Sequence, residues 1–331
     1  MSNLKVVVTD YEYSTLKYEE EVLAQIGVSL VPAQCKTEEE LIEACKDADG
    51  LLNQYAQLTP RVIQALDRCK VIGRYGVGIN TVDLAAATEK GICVVNVPDY
   101  CMDEVSDHAM ALLLACVRKT VLMNNEVKKG NWDYKVSVPV YRLRGKNLGL
   151  ISFGRIAQTL AKKAQAFGLN LLVFDPYIPD AVAEQFGVKK VSLEELLQTS
   201  DFISVHAPLN AETEHLLGEK EFKMMKKSAF IINTGRGPVI DEEALVKALQ
   251  EGWIAGAGLD VLEIEPVRSE SPLLKMDNVI LNPHVAWYSE EAGTDLQIKA
   301  AQGVAEVLQG YYPRNLVNKE IKGKVNLKER P

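Results

Sequence analysis

The sequence predicts two α/β units, each a parallel sheet with helices on both faces. Short apolar runs alternate with amphipathic stretches along nearly the whole chain. The alternation restarts at Gly145 after one long helical pattern. The 331 residues are enough for two domains of ordinary size.

In the first series the candidate strands are 4–8, 28–31, 50–52, 71–72 and 93–95, with helical patterns near 15–26, 37–47, 60–67 and 82–90. A single long helix is predicted over 103–129. Its apolar run, 109–117, is too short to span a bilayer and reads as one buried stretch. The second series has strands near 147–152, 170–174, 201–205, 229–232, 255–259 and 279–281. A last helix, about 289–309, precedes a polar tail. No repeat or low-complexity linker separates the series, so any domain boundary is a tight crossing.

Composition narrows the function. At 47% hydrophobic and 25% charged, the chain is globular in character. A net charge of -8 argues against nucleic acid as the main partner, since phosphate binding needs a basic surface. Cys35, Cys45, Cys69, Cys93, Cys101 and Cys116 form no Cys-x-x-Cys pair, so no metal site is expected. Scattered cysteines and an N-terminus that enters a strand directly, without a signal peptide, predict a cytoplasmic protein with no membrane partner.

The stretch Asn233-Thr-Gly-Arg-Gly-Pro-Val-Ile-Asp241 places Arg236 on the loop after an apolar strand, with Asp241 capping the next helix. Open α/β sheets hold their ligands at that edge. A fixed guanidinium there suits a carboxylate, which it can grip with two parallel hydrogen bonds.

Ser152-Phe-Gly-Arg-Ile-Ala157 follows the strand Asn147-Leu-Gly-Leu-Ile151 and resembles a dinucleotide-binding turn. Ser152 stands at the first glycine position, Gly154 at the second and Ala157 at the third. Gly154 would let the backbone approach a pyrophosphate at the helix N-terminus. Asp175, ending the next strand 23 residues after Ser152, can accept both ribose hydroxyls and repel a 2′-phosphate. The same residue could simply start the Asp-Pro-Tyr turn. NAD is the expected cofactor. Beyond Arg236, two further strands run into Asp260-Val-Leu-Glu-Ile-Glu-Pro266 and Asn282-Pro-His-Val-Ala-Trp-Tyr288. Three successive strand ends thus deliver an arginine, acidic residues and a histidine to one sheet edge.

These pieces, with Gly76-Val-Gly-Ile-Asn-Thr-Val-Asp83, Val97-Pro-Asp-Tyr100 and Asp107-His108, resemble the D-isomer-specific 2-hydroxyacid dehydrogenases over nearly the whole chain. Trp287, three residues past His284, points to the branch similar to the C-terminal-binding proteins. The resemblance implies two Rossmann/flavodoxin-like doubly wound domains with the active site in the cleft between them. A substrate domain, 1–101 plus 287–331, would have the NAD domain, 102–286, inserted into it.

It also implies a catalytic set of Arg236, Glu265 and His284. Glu263 competes for the middle place, and a glutamate directly before proline selects Glu265. Histidine suits a proton transfer near neutrality, and a carboxylate on its other nitrogen would orient it and favour the imidazolium. Cofactor contacts are implied for Phe153, Gly154, Arg155, Ile156, Asp175, His206, Ala207, Pro208, Thr213, Thr234, Gly235, Arg236, Asp260 and His284, with Asp260 facing the nicotinamide carboxamide. Tyr55, Val77, Gly78, Arg236 and Trp287 would bind substrate, with Tyr100 in the pocket wall and Asn53 or Gln54 available for a hydroxyl.

The loop Asn53-Gln-Tyr-Ala-Gln57 holds no arginine of the kind phosphoglycerate-type members carry, which predicts an unphosphorylated small acid. The expected activity is reduction of a 2-oxo acid or oxidation of the D-2-hydroxy acid. The alternative is a dinucleotide-sensing scaffold like the corepressors of that branch. The resemblance further implies a homodimer through the 103–129 helix.

Overall fold

The computed structural model describes residues 4–330; Met1–Asn3, part of the expected strand entry, and Pro331 lie outside the described residues. The chain divides into two compact units, one running to Cys101 and resuming at Ser289, the other Met102–Tyr288. The second crossing falls two residues beyond the expected one.

The first unit opens with β1 (Lys5–Val8), α1 (Lys17–Ala24), β2 (Ser29–Pro32), α2 (Glu38–Cys45) and β3 (Gly50–Asn53). It continues with α3 (Pro60–Gln64), β4 (Val71–Arg74), α4 (Leu84–Glu89) and β5 (Cys93–Val95). Its sheet is wholly parallel, in the order β2-β1-β3-β4-β5. That flavodoxin-like order puts the switch point between β1 and β3. Helix starts are chemically marked: Thr37, Thr59 and Asp83 each accept a backbone N–H of the first turn.

The second unit begins with α5 (Met102–Arg118) and α6 (Thr120–Lys128), which corrects the expectation of one helix. Lys119 breaks it by adopting a left-handed conformation, φ 52°. Helix α5 buries an apolar face built on Ala109, Leu112, Leu113 and Cys116, whereas α6 buries no side chain. Then follow β6 (Asn147–Ile151), α7 (Arg155–Ala166), β7 (Asn170–Phe174), α8 (Asp180–Phe186), β8 (Lys189–Lys190) and α9 (Leu193–Thr199). The unit ends with β9 (Phe202–Val205), α10 (Glu219–Met224), β10 (Phe230–Asn233), α11 (Glu242–Gln250), β11 (Gly256–Leu259) and β12 (Val279–Leu281).

Its seven strands lie parallel in the order β12-β11-β10-β9-β6-β7-β8. Counted from β6, this is the doubly wound order 3-2-1-4-5-6 with one strand added, and the direction of winding reverses between β6 and β9. Two apolar clusters cover its faces, one centred on Leu197, Ile203, Ile231 and Leu245, the other on Leu113, Leu148, Phe153 and Leu160. The chain returns to the first unit with α12 (Glu290–Leu308), capped by Ser289 and packed on α1 and β4.

Candidate active site

The cofactor turn is built around one carboxylate. Ser152 sits at φ 70°, in the left-handed region where a Cβ is unfavourable. Its N–H donates to the Phe174 carbonyl at 2.8 Å, and its hydroxyl donates to Asp175 Oδ2 at 3.3 Å. The Phe153 N–H reaches the same oxygen at 2.8 Å, while the Tyr177 N–H donates to Oδ1 at 2.8 Å. Asp175 thus does start its turn, and it also lies at the strand end expected for a ribose acceptor. The side chain of Phe153 is core, edge-on to Phe186, so only its backbone borders the turn.

A dinucleotide fits this turn. A Cβ on Gly154 would meet no protein atom within 4 Å, so the fold's own packing does not demand glycine there. No side chain caps α7, whose first N–H groups are therefore open to an anion. At the end of β10, the buried Thr234 hydroxyl has no protein partner, as expected of a group reserved for a ligand. Arg155 is exposed and Ile156 half-buried on the first turn of α7.

After β9, the His206 ring is desolvated, which pushes its pKa down to about 4, and its Nε2 pairs with Ser204 Oγ at 2.9 Å. His206 is therefore neutral at physiological pH. Ala207 is buried and Pro208 exposed, and the Thr213 hydroxyl closes this loop by donating to the Pro208 carbonyl at 2.5 Å. The hydroxyl of Tyr177 donates to Glu212 Oε2 at 2.6 Å, tying the loops after β7 and β9.

Buried Asn233 shapes the arginine loop. Its Nδ2 donates to the Arg236 carbonyl at 3.0 Å and its Oδ1 accepts the Gly235 N–H at 3.0 Å. A Cβ on Gly237 would overlap the Leu262 carbonyl, so glycine is what lets this loop approach the next. Asp260, 2% exposed, clamps the histidine turn. Its carbonyl accepts the His284 N–H at 2.8 Å, and its carboxylate accepts the N–H groups of Val285 and Ala286, each at 2.9 Å. Both oxygens that were expected to face a carboxamide are therefore engaged by backbone.

His284 itself is left-handed, φ 53°. Its Nδ1 lies 2.7 Å from Glu265 Oε2, and Glu265 Oε1 accepts the Leu262 N–H at 3.0 Å. Burial opposes the charge on Glu265, but the His284 ring, the Leu262 N–H and the charge of Arg236 outweigh it and hold its carboxyl below the ordinary value. Glu263 points elsewhere, to His215 Nε2 at 2.8 Å. Of the two glutamates, Glu265 is the one hydrogen-bonded to His284.

In the first unit, the carboxylate of Asp10 organises the loop after β3. It accepts the Thr9 hydroxyl at 2.7 Å and the N–H groups of Gln54 and Tyr55 at 3.2 and 2.6 Å. Asn53 and Gln54 are 0% and 4% exposed. Asn53 Nδ2 donates to the Ala56 carbonyl, its Oδ1 accepts the Thr81 hydroxyl, and Gln54 Oε1 accepts the Glu12 N–H. Asn53 is thus engaged at both ends of its amide in holding the loop, and Gln54 through its Oε1. Tyr55 and Val77 are exposed, and Gly78 is half-buried.

The model of the D-isomer specific 2-hydroxyacid dehydrogenase NAD binding domain matches residues 110–286, more than half of the chain. The chain belongs to this family. That makes it an NAD-dependent oxidoreductase of 2-hydroxy acids. It is 43% identical to the D-3-phosphoglycerate dehydrogenase of Methanocaldococcus jannaschii, over 95% of this chain and 59% of that protein, so it spans well under two thirds of that relative. It is 39% identical to the glyoxylate reductase of Korarchaeum cryptofilum, over 85% of this chain and 86% of that protein. The crystal structure of a glyoxylate reductase from Paecilomyes thermophila matches with a TM-score of 0.88 at 29% identity, covering 97% of this chain and all of that one.

Several groups of this dehydrogenase escaped the sequence reading. Asn233 ends a buried strand and looks like core. Asp10 lies in the apolar run's shadow, far in sequence from the loop it holds. Arg74 ends β4 with its guanidinium against Gly76, close enough that a Cβ there would collide with it. Its place two residues before the glycine loop was the available signal. His108 Nε2 lies buried 3.6 Å from Asp260 Oδ1.

Proposed function

We propose that the chain reduces a small, unphosphorylated 2-oxo acid with NADH, or runs the reverse oxidation, using His284 as the acid/base. The observation that carries this is the 2.7 Å pair between His284 Nδ1 and Glu265 Oε2. It commits one ring nitrogen to a carboxylate and leaves Nε2 for the reacting proton. Bound NADH would supply the hydride. Arg236 would hold the substrate carboxylate and draw electron density from the 2-oxo group, so that its grip tightens as alkoxide charge develops. Glu265 would steady the imidazolium before it gives up its proton. Tyr55, Val77, Gly78 and Trp287 are assigned to substrate.

Preference for NADH over NADPH is assigned to Asp175, whose buried charge would repel a 2′-phosphate. Phe153, Gly154, Arg155, Ile156, His206, Ala207, Pro208, Thr213, Thr234, Gly235 and Asp260 are assigned to the cofactor, with Phe153 acting through its backbone. Arg74 supports a second reading, an acid carrying another anionic group, and the name of the Methanocaldococcus relative agrees with it. Trp287 supports placement near the C-terminal-binding-protein branch, where the scaffold reading belongs.

The solvent-facing α6 and the exposed Trp132, Tyr134, Val138 and Tyr141 beyond it support a homodimer, because apolar side chains so grouped want a cover. The six unpaired cysteines support a cytoplasmic location. Among the described residues no helix is long and apolar enough to cross a membrane.

The test is NADH oxidation with glyoxylate, pyruvate, hydroxypyruvate and 3-phosphohydroxypyruvate, alongside His284→Ala. Turnover should fall by roughly 10²–10⁴ in the variant. Faster turnover of 3-phosphohydroxypyruvate than of hydroxypyruvate would select the Arg74 reading, and no turnover of any acid with tight NADH binding would select the scaffold.

A further inference from the structure

The loop that carries Glu265 carries a second histidine–glutamate pair two residues earlier. His215 Nε2 lies 2.8 Å from Glu263 Oε1. The other oxygen of Glu263 accepts the Glu242 N–H at the start of α11 at 3.1 Å, and the Glu263 N–H returns a bond to Glu242 Oε2 at 3.0 Å. One carboxylate thus fastens the 261–265 loop to a helix N-terminus and to the loop before α10 at once. His215 is itself left-handed, φ 50°, with its N–H on the Pro238 carbonyl at 2.8 Å. It shares that unusual backbone with Ser152, His284 and Lys119 among the described residues. Left-handed non-glycine residues cost free energy, so they persist where the surroundings hold them for a use.

We propose that His215 is a positioning residue for Glu265. Through Glu263 it holds the 261–265 backbone, including the Leu262 N–H that anchors Glu265 Oε1, so that Oε2 meets His284. The inference rests on the role given above to Glu265 and His284. Charge strengthens the tie. The hydrogen bond to Glu263 raises the His215 pKa against partial desolvation, with the charges of Glu263, Asp241 and Glu214 adding to it. A raised folded-state pKa means the tie is fully charged below the ordinary histidine value and loses its charge as pH rises through the raised one. Glu265 is therefore held best on the acidic side of neutrality, where 2-oxo acid reduction finds its proton most readily.

The experiment is a double-mutant cycle on the full chain, with His215→Gln, Glu265→Gln and both together, read as kcat and KM for glyoxylate from about pH 5 to about pH 9. His215→Gln should lower kcat roughly tenfold with little change in KM or NADH affinity, and the fall of activity should begin at lower pH. In the Glu265→Gln background it should cost nothing further, because it acts through that carboxylate. Full additivity of the two losses overturns the proposal, as does an unchanged pH profile. Glu263→Gln, which keeps an acceptor for the Glu242 N–H, repeats the cycle should His215→Gln melt early, and additivity there is equally fatal. If His284→Ala retained turnover, the parent reading would fail instead, whatever the cycle gave.

Discussion

The two units solve the problem of holding functional groups in different ways. Among the described residues, all four left-handed non-glycine residues, Lys119, Ser152, His215 and His284, lie in the second unit and none in the first. Each such residue costs on the order of 1–3 kcal/mol, and three of the four stand on loops at strand ends that aim a side chain. At its strand ends the first unit instead buries polar groups: Thr9, Asp10, Asn53 and Gln54 are all at most 9% exposed. They fix the loop that carries Tyr55, a residue assigned above to substrate. One unit holds its loops with strained backbone, whereas the other holds its loop with buried hydrogen bonds.

The sharpest break in this comparison would come from Arg236. If the second unit works through side-chain geometry, Arg236→Lys should lower kcat/KM for a 2-oxo acid by about 10²–10³, since an ammonium cannot make two parallel bonds. The fold should be untouched, because Asn233 holds the loop through its backbone. Steady-state kinetics with a thermal melt decides it. A loss under about threefold would mean the charge alone matters, and the aiming would be idle.

The first unit should respond to Asp10→Asn in the opposite pattern. An asparagine presents a donor where Asp10 accepts from Gln54 and Tyr55, leaving one buried N–H unmatched at a cost of about 1–3 kcal/mol. Thermal stability should drop accordingly. KM should rise several-fold as the Tyr55 loop loosens, with kcat nearly kept. A fall in kcat with unchanged KM would place chemistry where only loop support is argued.

The same division explains what was legible in the sequence. Eleven of the strands stood out as short apolar runs, most of them because buried parallel strands read that way, although β2 is largely exposed. The twelfth, Lys189–Lys190, is two charged residues on the sheet edge and has no such signature. The break at Lys119 was invisible because neither glycine nor proline marks it, and Val121 and Val127 continue an apolar rhythm that the fold leaves exposed. Arg236 and His284 stood out as polar residues just beyond apolar strands, whereas Glu265 was told from Glu263 only by the family's pattern of a glutamate before proline. His215 and Glu263, 48 residues apart, meet only through loop geometry, and nothing local announces Asp10 as the partner of Tyr55.

Ser152 is where the comparison is subtlest, because the left-handed residue is also a hydrogen-bond donor. Ser152→Gly should release roughly 1 kcal/mol of backbone strain. Against that, glycine frees the unfolded chain by about 0.4–1 kcal/mol, and the hydroxyl bond to Asp175 Oδ2 contributes about 0.5–1.5 kcal/mol. These oppose one another, so thermal stability should stay nearly constant. NADH affinity should change less than about threefold, since Gly154 and the open α7 N-terminus remain. A more than tenfold gain in affinity by fluorescence titration would mark the serine as a defect in the turn. A loss beyond about 2 kcal/mol in stability would mean that its hold on Asp175 outweighs the strain. The near-null result is the one that keeps the account of strained loops intact, because the strain released and the stabilisation lost are expected at comparable size.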